Sequence, residues 1–295
     1  MQLMNNNKKA LLIIILWAAI GGAVSPITKI GLVKIPPFTF SFLRFIIAAL
    51  AISPFFIKEK PKLNKSFLFL VALSFLPVLN VALFVTGLKL TTASISQMLY
   101  GATPILTGIF SYFLFRNKLS FKKWFSILIG LVGVIEVVSL PLLEKKSLFA
   151  GSLNGNLLIS FAVIIWSLYG VLSKQFQKKF SPVIITSIFI YLATLVFFVL
   201  SLTEFSSFNS WFSSIKTSSI FPVLYVAVLG TVGGYILNQY AIKLGGPILA
   251  SLAFYLSPIF GYFFSFVLLG EKLTAGLTVG TILVFISVVL TTYSK

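Results

Sequence analysis

The sequence predicts an all-α integral membrane protein with ten transmembrane helices, arranged as two inverted five-helix repeats. Three observations support this fold class. The chain of 295 residues is 58% hydrophobic and only 9% charged, with a mean hydropathy of +1.07. A soluble protein of this length cannot bury so much apolar surface, whereas a lipid bilayer accommodates it. The apolar residues also fall into ten separate segments, and the two halves of the chain repeat each other.

Each apolar segment has about 20 residues or slightly more, which is enough to cross a hydrocarbon layer of about 30 Å as a helix. In chain order the segments are 10–33, 36–57, 66–88, 92–115, 122–143, 153–173, 181–203, 219–242, 247–269 and 273–293. They define two domains, a first repeat at 10–143 and a second at 153–293. The first apolar run is too long for a signal-peptide core, so we expect it to be retained.

The internal repeat is visible in matched residues. An offset of 154 residues aligns Lys89 with Lys243 and Pro104 with Pro258. An offset of 145 residues aligns the earlier parts of the halves, and the difference fits an insertion in the loop after segment seven. Because each half has an odd number of segments, the copies are predicted to face opposite ways across the membrane. Many transporters are built this way, with a substrate site at the midplane between the halves.

The net charge of +18 is explained by membrane topology. Lys and Arg form short clusters between apolar runs instead of a basic face with interleaved aromatics, which excludes a nucleic-acid partner. Roughly twice as many of them fall in loops on the side of the termini as on the other side. The positive-inside rule therefore predicts that both termini are cytoplasmic, which requires an even number of spans.

The sequence contains no Cys, His or Asp. This composition excludes thiolate chemistry, catalytic triads, imidazole metal ligands and His proton relays, so we expect no catalytic residues, no metal and no cofactor. A Gly-rich nucleotide-binding motif is also absent from the sequence, which argues against direct use of ATP. A membrane-embedded enzyme acting on lipid and a scaffold without transport remain distant alternatives.

Polar and aromatic residues gather in segments three, four, six, eight and nine. Buried amides are costly in hydrocarbon unless they are bonded, so these faces should point inward. The predicted substrate-binding residues are Asn80, Gln97, Tyr100, Trp166, Tyr169, Tyr235, Asn238 and Tyr255. Segments two, five, seven and ten are plainer, and we expect them to face lipid or a homodimer partner.

Prolines and glycines inside the segments predict helix breaks or gating positions. A proline in mid-helix frees a carbonyl group that must face protein or water in the membrane. The candidates are Gly21, Gly22, Pro26, Pro104, Gly233, Gly234 and Pro258. A packing role stays open for all of them, because small residues also let helices approach closely.

Two charges lie inside segments, Arg44 in the second and Glu136 in the fifth. Their sequence positions place both about 10–12 Å deep from the same side. One interpretation is an ion pair, because an isolated charge at the bilayer centre costs about 2.5–3.5 kcal/mol. The other is that Glu136 carries protons for antiport, with uniport down the solute gradient equally open.

Three stretches resemble the EamA-type transporters of the drug/metabolite transporter (DMT) superfamily. They are Ile35–Phe45, Ala250–Phe260 and Leu269–Thr274. The resemblance covers essentially the whole chain as two tandem copies. It implies a carrier of the bacterial inner membrane whose pocket is lined by spans one, three, four, six, eight and nine. The first copy departs from the pattern at Arg116–Lys118, where the family has Gly-Glu-Arg or Gly-Glu-Lys.

The expected function is secondary transport, as an exporter, of a small neutral or zwitterionic metabolite such as an amino acid, by alternating access. The predicted pocket lacks a free carboxylate, which a site for a lipophilic cation would need. The alternative is a multidrug carrier or a carrier of another metabolite, such as a nucleoside or nucleotide sugar. The expected partners are a small-molecule substrate and the lipid bilayer, with a homodimer left open.

Overall fold

The structure, a computed structural model, describes residues 2–61, 63–115, 121–145, 147–205, 213 and 217–293. Arg116–Lys118, where the first repeat departs from the family pattern, lie outside the described residues. Within these ranges the protein is all-helical and contains no β-strand. The helical membrane character predicted from composition is therefore confirmed.

The chain folds into α-helices and one π-helical segment. They are α1 (Gln2–Leu32), α2 (Pro37–Glu59), α3 (Lys65–Leu90), α4 (Ala93–Tyr100), α5 (Thr103–Phe115), α6 (Phe121–Leu143), α7 (Leu153–Phe176), α8 (Pro182–Leu202), α9 (Thr217–Tyr225), the π-helical segment (Val226–Gly233), α10 (Gly234–Ser251), α11 (Ala253–Leu269) and α12 (Ala275–Tyr293). Among the described residues, eight helical stretches are long and apolar enough to span a membrane. Two further apolar helices, Ala253–Leu269 and Ala275–Ser287, are shorter.

Helix breaks occur near, but not always at, the predicted prolines. The chain breaks between α4 and α5, and Pro104 lies in the first turn of α5, where its missing N–H has no helical partner to lose. In the second half, Gly246 has a φ of 82°, a left-handed conformation that glycine adopts without strain. Pro258 lies inside α11, and the nearest break in that half is at Leu252. Pro26 also lies within a continuous helix, α1.

Helices from the first half pack mainly on helices from the second half. The main pairs are α1 with α10 and α11, α2 with α8, α3 with α7, and α6 with α12. In the α2–α8 pair the ring of Phe45 stacks on Phe197 at 5.6 Å and meets Phe189 edge-on at 5.4 Å. The expectation that segments two and seven face lipid or a homodimer partner is wrong for these faces, which pack on each other within the chain. Plain apolar composition cannot separate the two cases, because lipid and a protein core favour the same side chains.

Two lysines at repeat-matched positions make the same contact. Lys29 Nζ donates to the carbonyl oxygens of Leu88 at 2.7 Å and Thr91 at 2.6 Å, where α3 ends. Its counterpart Lys174 donates to the carbonyl oxygen of Ile242 at 2.9 Å. Cations are favourable at these places because the last carbonyl groups of a helix lack intrahelical partners and carry partial negative charge.

Two glutamates at repeat-matched positions also make related contacts. Glu204, at the end of α8, accepts hydrogen bonds from the backbone N–H groups of Phe38 at 3.1 Å and Thr39 at 2.8 Å, at the start of α2. Glu59 ends α2 and accepts a hydrogen bond from the Ser181 hydroxyl, directly before α8. Each glutamate therefore contacts the N-terminal end of the other helix, but among the described residues only Glu204 accepts hydrogen bonds from backbone N–H groups there.

The contact between α1 and α11 depends on Gly22. A Cβ atom added at Gly22 would lie 2.5 Å from Phe260 Cβ and 3.0 Å from the backbone nitrogen of Gly261. We therefore expect Gly22→Ala to lower the stability of the protein by about 1–3 kcal/mol through overpacking. The measurement is thermal unfolding in nanodiscs. Gly170→Ala is the matched control, because nothing lies within 4 Å of an added Cβ there. It should be neutral or stabilise by about 0.5–1 kcal/mol, and equal midpoints for the two variants would contradict the close approach.

Candidate functional site

A central cavity of about 700 Å³, counting the space through which it opens, lies between the two halves. Six aromatic residues line it: Trp17, Phe84, Tyr100, Trp166, Tyr235 and Phe254. Six polar residues line it: Ser25, Arg44, Asn80, Gln97, Thr231 and Ser257. The remaining wall is small or aliphatic: Gly21, Val24, Val81, Val226 and Gly230. Residues from both halves therefore line one cavity.

The aromatic wall is centred on Phe254. Tyr100 stacks on this ring with centroids 5.8 Å apart, and Trp17 meets it edge-on at 4.9 Å. Trp166 lies against the same ring at 6.3 Å and against Tyr235 at 5.6 Å. Such edge-on and stacked pairs hold the rings in place and leave aromatic faces toward the cavity. This wall suits an apolar or aromatic part of a ligand.

Two amide side chains are held by their NH₂ groups. Asn80 Nδ2 donates to the Tyr100 hydroxyl and to the carbonyl oxygen of Ala162, both at 2.7 Å. Gln97 Nε2 donates to the carbonyl oxygens of Gly21 at 3.2 Å and Gly22 at 3.0 Å. No group in the described part of the chain donates to either amide oxygen. The two oxygens are thus hydrogen-bond acceptors available to a ligand in the cavity.

Arg44 reaches the cavity from α2 and is only 2% exposed. Its Nη2 donates to the Tyr235 hydroxyl at 3.4 Å, and its guanidinium carbon lies 4.6 Å from the centroid of the Phe45 ring. Glu136 lies elsewhere, on α6 against α12, where its carboxylate would be 3.4 Å from a Cβ added at Gly276. The ion pair expected between Arg44 and Glu136 is not formed, because equal depth in the membrane does not place two side chains on facing surfaces.

A π-helical segment, Val226–Gly233, forms part of the cavity wall. Within it the Thr231 hydroxyl donates to the carbonyl oxygen of Val226, five residues earlier, at 2.7 Å. Gly233 and Gly234 mark the return to α-helix, and a Cβ added at Gly234 would lie 3.6 Å from the Trp17 indole nitrogen. Wide turns of this kind occur at functional sites. The glycines indicated an irregular helix here, but the π geometry was not predicted.

Three predicted binding residues do not line the central cavity. Tyr169 is buried behind Trp166, and its hydroxyl accepts a hydrogen bond from Gln239 Nε2 at 3.0 Å. Asn238 is buried within α10. Tyr255 belongs to a second cavity of about 830 Å³ with an apolar lining. Sequence spacing put these residues on the polar helices, but the helix rotation that decides which residue faces the centre depends on tertiary packing.

Only two of the seven candidate gating residues line one of these two cavities, and they line different ones. Gly21 lines the central cavity, whereas Pro258 lines the second, apolar cavity. Gly22, Pro26, Pro104, Gly233 and Gly234 line neither cavity. Gly22 acts by permitting close helix packing and by offering its carbonyl oxygen to Gln97.

Sequence reasoning missed three of the six aromatic residues of the central cavity. Phe254 is the repeat counterpart of Tyr100, so transfer of that prediction across the offset of 154 residues would have found it. Trp17 lies one helical turn before Gly21, the counterpart of Trp166, and therefore on the same face of its helix. Phe84 carries no comparable signal, because it stands in a uniformly apolar stretch.

At one end of the bundle four polar residues, Thr91, Ser94, Asn156 and Glu271, are buried. Glu271, which is 6% exposed, accepts hydrogen bonds from the backbone N–H groups of Ala93 at 2.9 Å and Ser94 at 2.8 Å, and from the Ser94 hydroxyl at 2.6 Å. Anions are favoured at this place by the positive end of the α4 helix dipole. We call this region, defined by these four buried residues, the sealed end.

The architecture is that of a multi-pass helical membrane protein with a cavity between its two halves. The model of the EamA-like transporter family matches residues 8–139 and 153–293. The chain therefore belongs to the EamA-like transporter family, within the DMT superfamily, and the resemblance seen in its motifs is confirmed. The bilayer and a small-molecule substrate are accordingly its partners as a member of a transporter family.

Relatives and a solved structure agree with this family. A protein of Bacillus subtilis named uncharacterized transporter YyaM is 27% identical over 78% of this chain and 74% of its own length. An uncharacterized transporter of Archaeoglobus fulgidus is 26% identical over 97% of this chain and 98% of its own. One protein crystal structure aligns over 98% of this chain and 97% of that chain with a TM-score of 0.63 and 16% sequence identity, which shows a shared fold alone.

Proposed function

We propose that the protein is a secondary transporter that exports a small neutral or zwitterionic metabolite, such as an amino acid with an apolar side chain, by alternating access. The central cavity is the observation on which this proposal depends. It combines an aromatic wall with the acceptor oxygens of Asn80 and Gln97. Among the residues that the structure describes, no carboxylate side chain lines it. This disfavours the multidrug alternative, because a lipophilic cation in a low-dielectric site needs a negative partner.

The membrane arrangement that goes with this function has ten crossings in two inverted repeats, at 10–143 and 153–293, in the bacterial inner membrane. Two observations support it. The family model matches twice, and the repeat-matched residues Lys29 and Lys174 each donate to a carbonyl oxygen at a repeat-matched position, Leu88 and Ile242. With both termini cytoplasmic, the sealed end faces the outside of the cell. We propose that the described conformation is the one closed toward the outside.

Export requires the sealed end to open. The carboxylate of Glu271, in the connection between α11 and α12, would have to leave the N-terminus of α4. Gly246, the π-helical segment and the α4–α5 break are places where helices of either half can bend during this movement. Rocking of one half against the other would then expose the cavity to each side in turn.

We propose that export follows the solute gradient without proton antiport through Glu136. Glu136 lies at the α6–α12 contact and does not line the central cavity. The Glu136→Gln variant should therefore keep the wild-type dependence of counterflow on an imposed pH gradient in proteoliposomes. A transport rate that loses its response to the gradient in this variant would instead identify Glu136 as a proton carrier.

Alternating access is tested with a single introduced thiol. Because the sequence has no cysteine, a thiol reagent can label only the introduced residue. Ser25 lines the cavity and is 3% exposed, and Ser25→Cys changes one atom. We expect a membrane-impermeant thiol reagent to label this site from both faces of oriented vesicles. A scaffold with no transport would show labelling from one face at most.

The solute is sought by a thermal-shift screen against amino acids, nucleosides and cationic dyes, since a ligand that binds the folded state raises its unfolding temperature. We expect apolar amino acids to stabilise the protein and to slow labelling of Ser25→Cys, and cationic dyes to do neither. Stabilisation by dyes alone would reverse the proposal in favour of a multidrug carrier.

A further inference from the structure

We infer that Arg44 binds a carboxylate group of the transported solute, so that the substrates are small monocarboxylates with an apolar body, with or without an amino group. This inference rests on the proposed transport function and revises the substrate class of the same cavity, because it adds monocarboxylate anions to the zwitterionic amino acids and removes neutral solutes without a carboxylate. The sequence alone placed Arg44 outside the predicted pocket, on a helix expected to face lipid.

Arg44 has more hydrogen-bond donors than the protein uses. A guanidinium group carries five N–H donors in a planar fork. Only Nη2 has an acceptor among the described residues, the Tyr235 hydroxyl at a long 3.4 Å, and Nε is buried with no partner. Buried polar groups are ordinarily satisfied, and an unsatisfied one calls for an explanation. Because Arg44 lines the cavity, a bound molecule can supply the missing acceptors.

The positive charge of Arg44 also lacks a counter-charge from the protein. The sequence has five acidic side chains, all glutamates, and the structure describes each of them. Four are engaged by hydrogen bonds at helix ends, namely Glu59, Glu144, Glu204 and Glu271. The fifth, Glu136, lies against α12. A charge buried in low dielectric is stable when it is paired, so the pairing anion must come from outside the chain.

The surroundings of Arg44 select an organic carboxylate over a bare inorganic anion. A carboxylate matches the guanidinium fork with two parallel hydrogen bonds. The aromatic wall formed by Trp17, Trp166 and Phe254 gives the rest of such a molecule an apolar surface. The amide oxygens of Asn80 and Gln97 accept hydrogen bonds from an ammonium group if one is present. Chloride or inorganic phosphate would use Arg44 and leave this wall uncovered.

The test uses four phenyl compounds of nearly equal size: 3-phenylpropionate, phenylalanine, phenylalaninamide and phenethylamine. Binding to purified wild-type protein is read from the change in tryptophan fluorescence, because two of its four tryptophans, Trp17 and Trp166, line the cavity. We expect the two carboxylates to bind and the amide and the amine to bind at least about 10-fold more weakly, as for loss of a charged hydrogen-bond pair. Sodium chloride and sodium phosphate should displace the carboxylates only at concentrations far above those of the probes.

The variants Arg44→Gln and Arg44→Lys separate this role from a structural one. Arg44→Gln should weaken 3-phenylpropionate binding by about 10- to 100-fold. Arg44→Lys keeps the charge but not the planar fork of donors, so its affinity should lie between those of Arg44→Gln and wild type. Because no protein acid pairs with Arg44 in the described structure, Arg44→Gln should unfold at the same temperature as wild type or higher. If Arg44 had a structural role, Arg44→Gln would instead lower the unfolding temperature.

The inference is overturned if Arg44→Gln binds 3-phenylpropionate as tightly as wild type, if no carboxylate of the panel binds, or if chloride displaces the carboxylates at equal concentration. These outcomes leave the transport function untouched when a neutral solute from the thermal-shift screen is still moved across proteoliposomes. Absence of transport for every solute class would instead remove the proposed function itself.

Discussion

Replacing Glu271 with alanine is expected to lower the stability of the protein by about 2–6 kcal/mol. The change leaves the backbone N–H groups of Ala93 and Ser94 without their acceptor in a buried place. Each unsatisfied buried donor costs about 1–3 kcal/mol. The loss is measured as the change in unfolding free energy by denaturing-detergent titration in mixed micelles.

The same variant should also loosen the sealed end. Glu271 joins the α11–α12 connection to the start of α4, so its removal favours the conformation that is open on that side. In the Ser25→Cys background, we expect faster labelling from the sealed side in Glu271→Ala than in the parent. Glu271→Gln keeps one acceptor oxygen and should show a smaller effect on both measurements.

Glu59→Ala is the control for this prediction, because Glu59 is exposed and accepts one described hydrogen bond, from Ser181. It should change neither stability nor labelling appreciably, since exposed polar pairs contribute little. If Glu271→Ala matched wild type in both measurements, Glu271 would neither cap α4 nor latch the sealed end.

Replacing Trp166 with alanine should weaken solute binding by about 30-fold or more. Trp166 is 5% exposed, lines the cavity and contacts the rings of Tyr169, Tyr235 and Phe254. Loss of a central aromatic contact in a binding site costs about 2 kcal/mol or more, or about 30-fold in affinity. Truncation of a buried Trp also destabilises a fold by about 3–5 kcal/mol. Isothermal titration with phenylalanine and 3-phenylpropionate measures the first effect, and thermal unfolding measures the second.

Two control variants separate binding from folding. Trp124→Ala removes the same side chain from α6, where Trp124 packs on Tyr112 at 5.6 Å and does not line the central cavity. It should reduce stability and keep the affinity for both probes. Trp166→Phe keeps an aromatic face and should retain part of the binding. If Trp166→Ala bound both probes as tightly as wild type, Trp166 would not be part of the binding site.

Much of the fold could be predicted from residue order alone. Lengths of apolar segments are set by the thickness of the bilayer, so the helical membrane class followed directly from the sequence. The sequence also held a signal for helix starts that the segment boundaries did not use, because Asn64, Thr92 and Ser152 cap α3, α4 and α7 by accepting hydrogen bonds from the backbone of the first turn. Helix breaks could not be predicted from proline alone. Pro104 lies directly after a break, whereas its repeat counterpart Pro258 lies inside an uninterrupted helix.

The candidate site was predicted only in part. Asn80, Gln97, Tyr100, Trp166 and Tyr235 were expected from polar clustering, and the structure brings these five to one cavity. Polar residues inside a membrane segment can be recognised from the sequence as inward-facing, because they are costly unless they face protein or water. Aromatic and aliphatic residues of the cavity wall cannot be recognised in this way, since lipid and protein accommodate them equally well.

The sequence by itself determined a helical membrane protein made of two related halves, with polar groups on a defined subset of its helices. Only the tertiary structure decided that Arg44 turns toward the central cavity while Glu136 turns away, and that Tyr169 and Asn238 stand behind the wall. The physical reason is that hydrophobicity sets how deep a residue lies, whereas the rotation of each helix is set by packing between side chains distant in sequence. A site between helices is defined by that rotation.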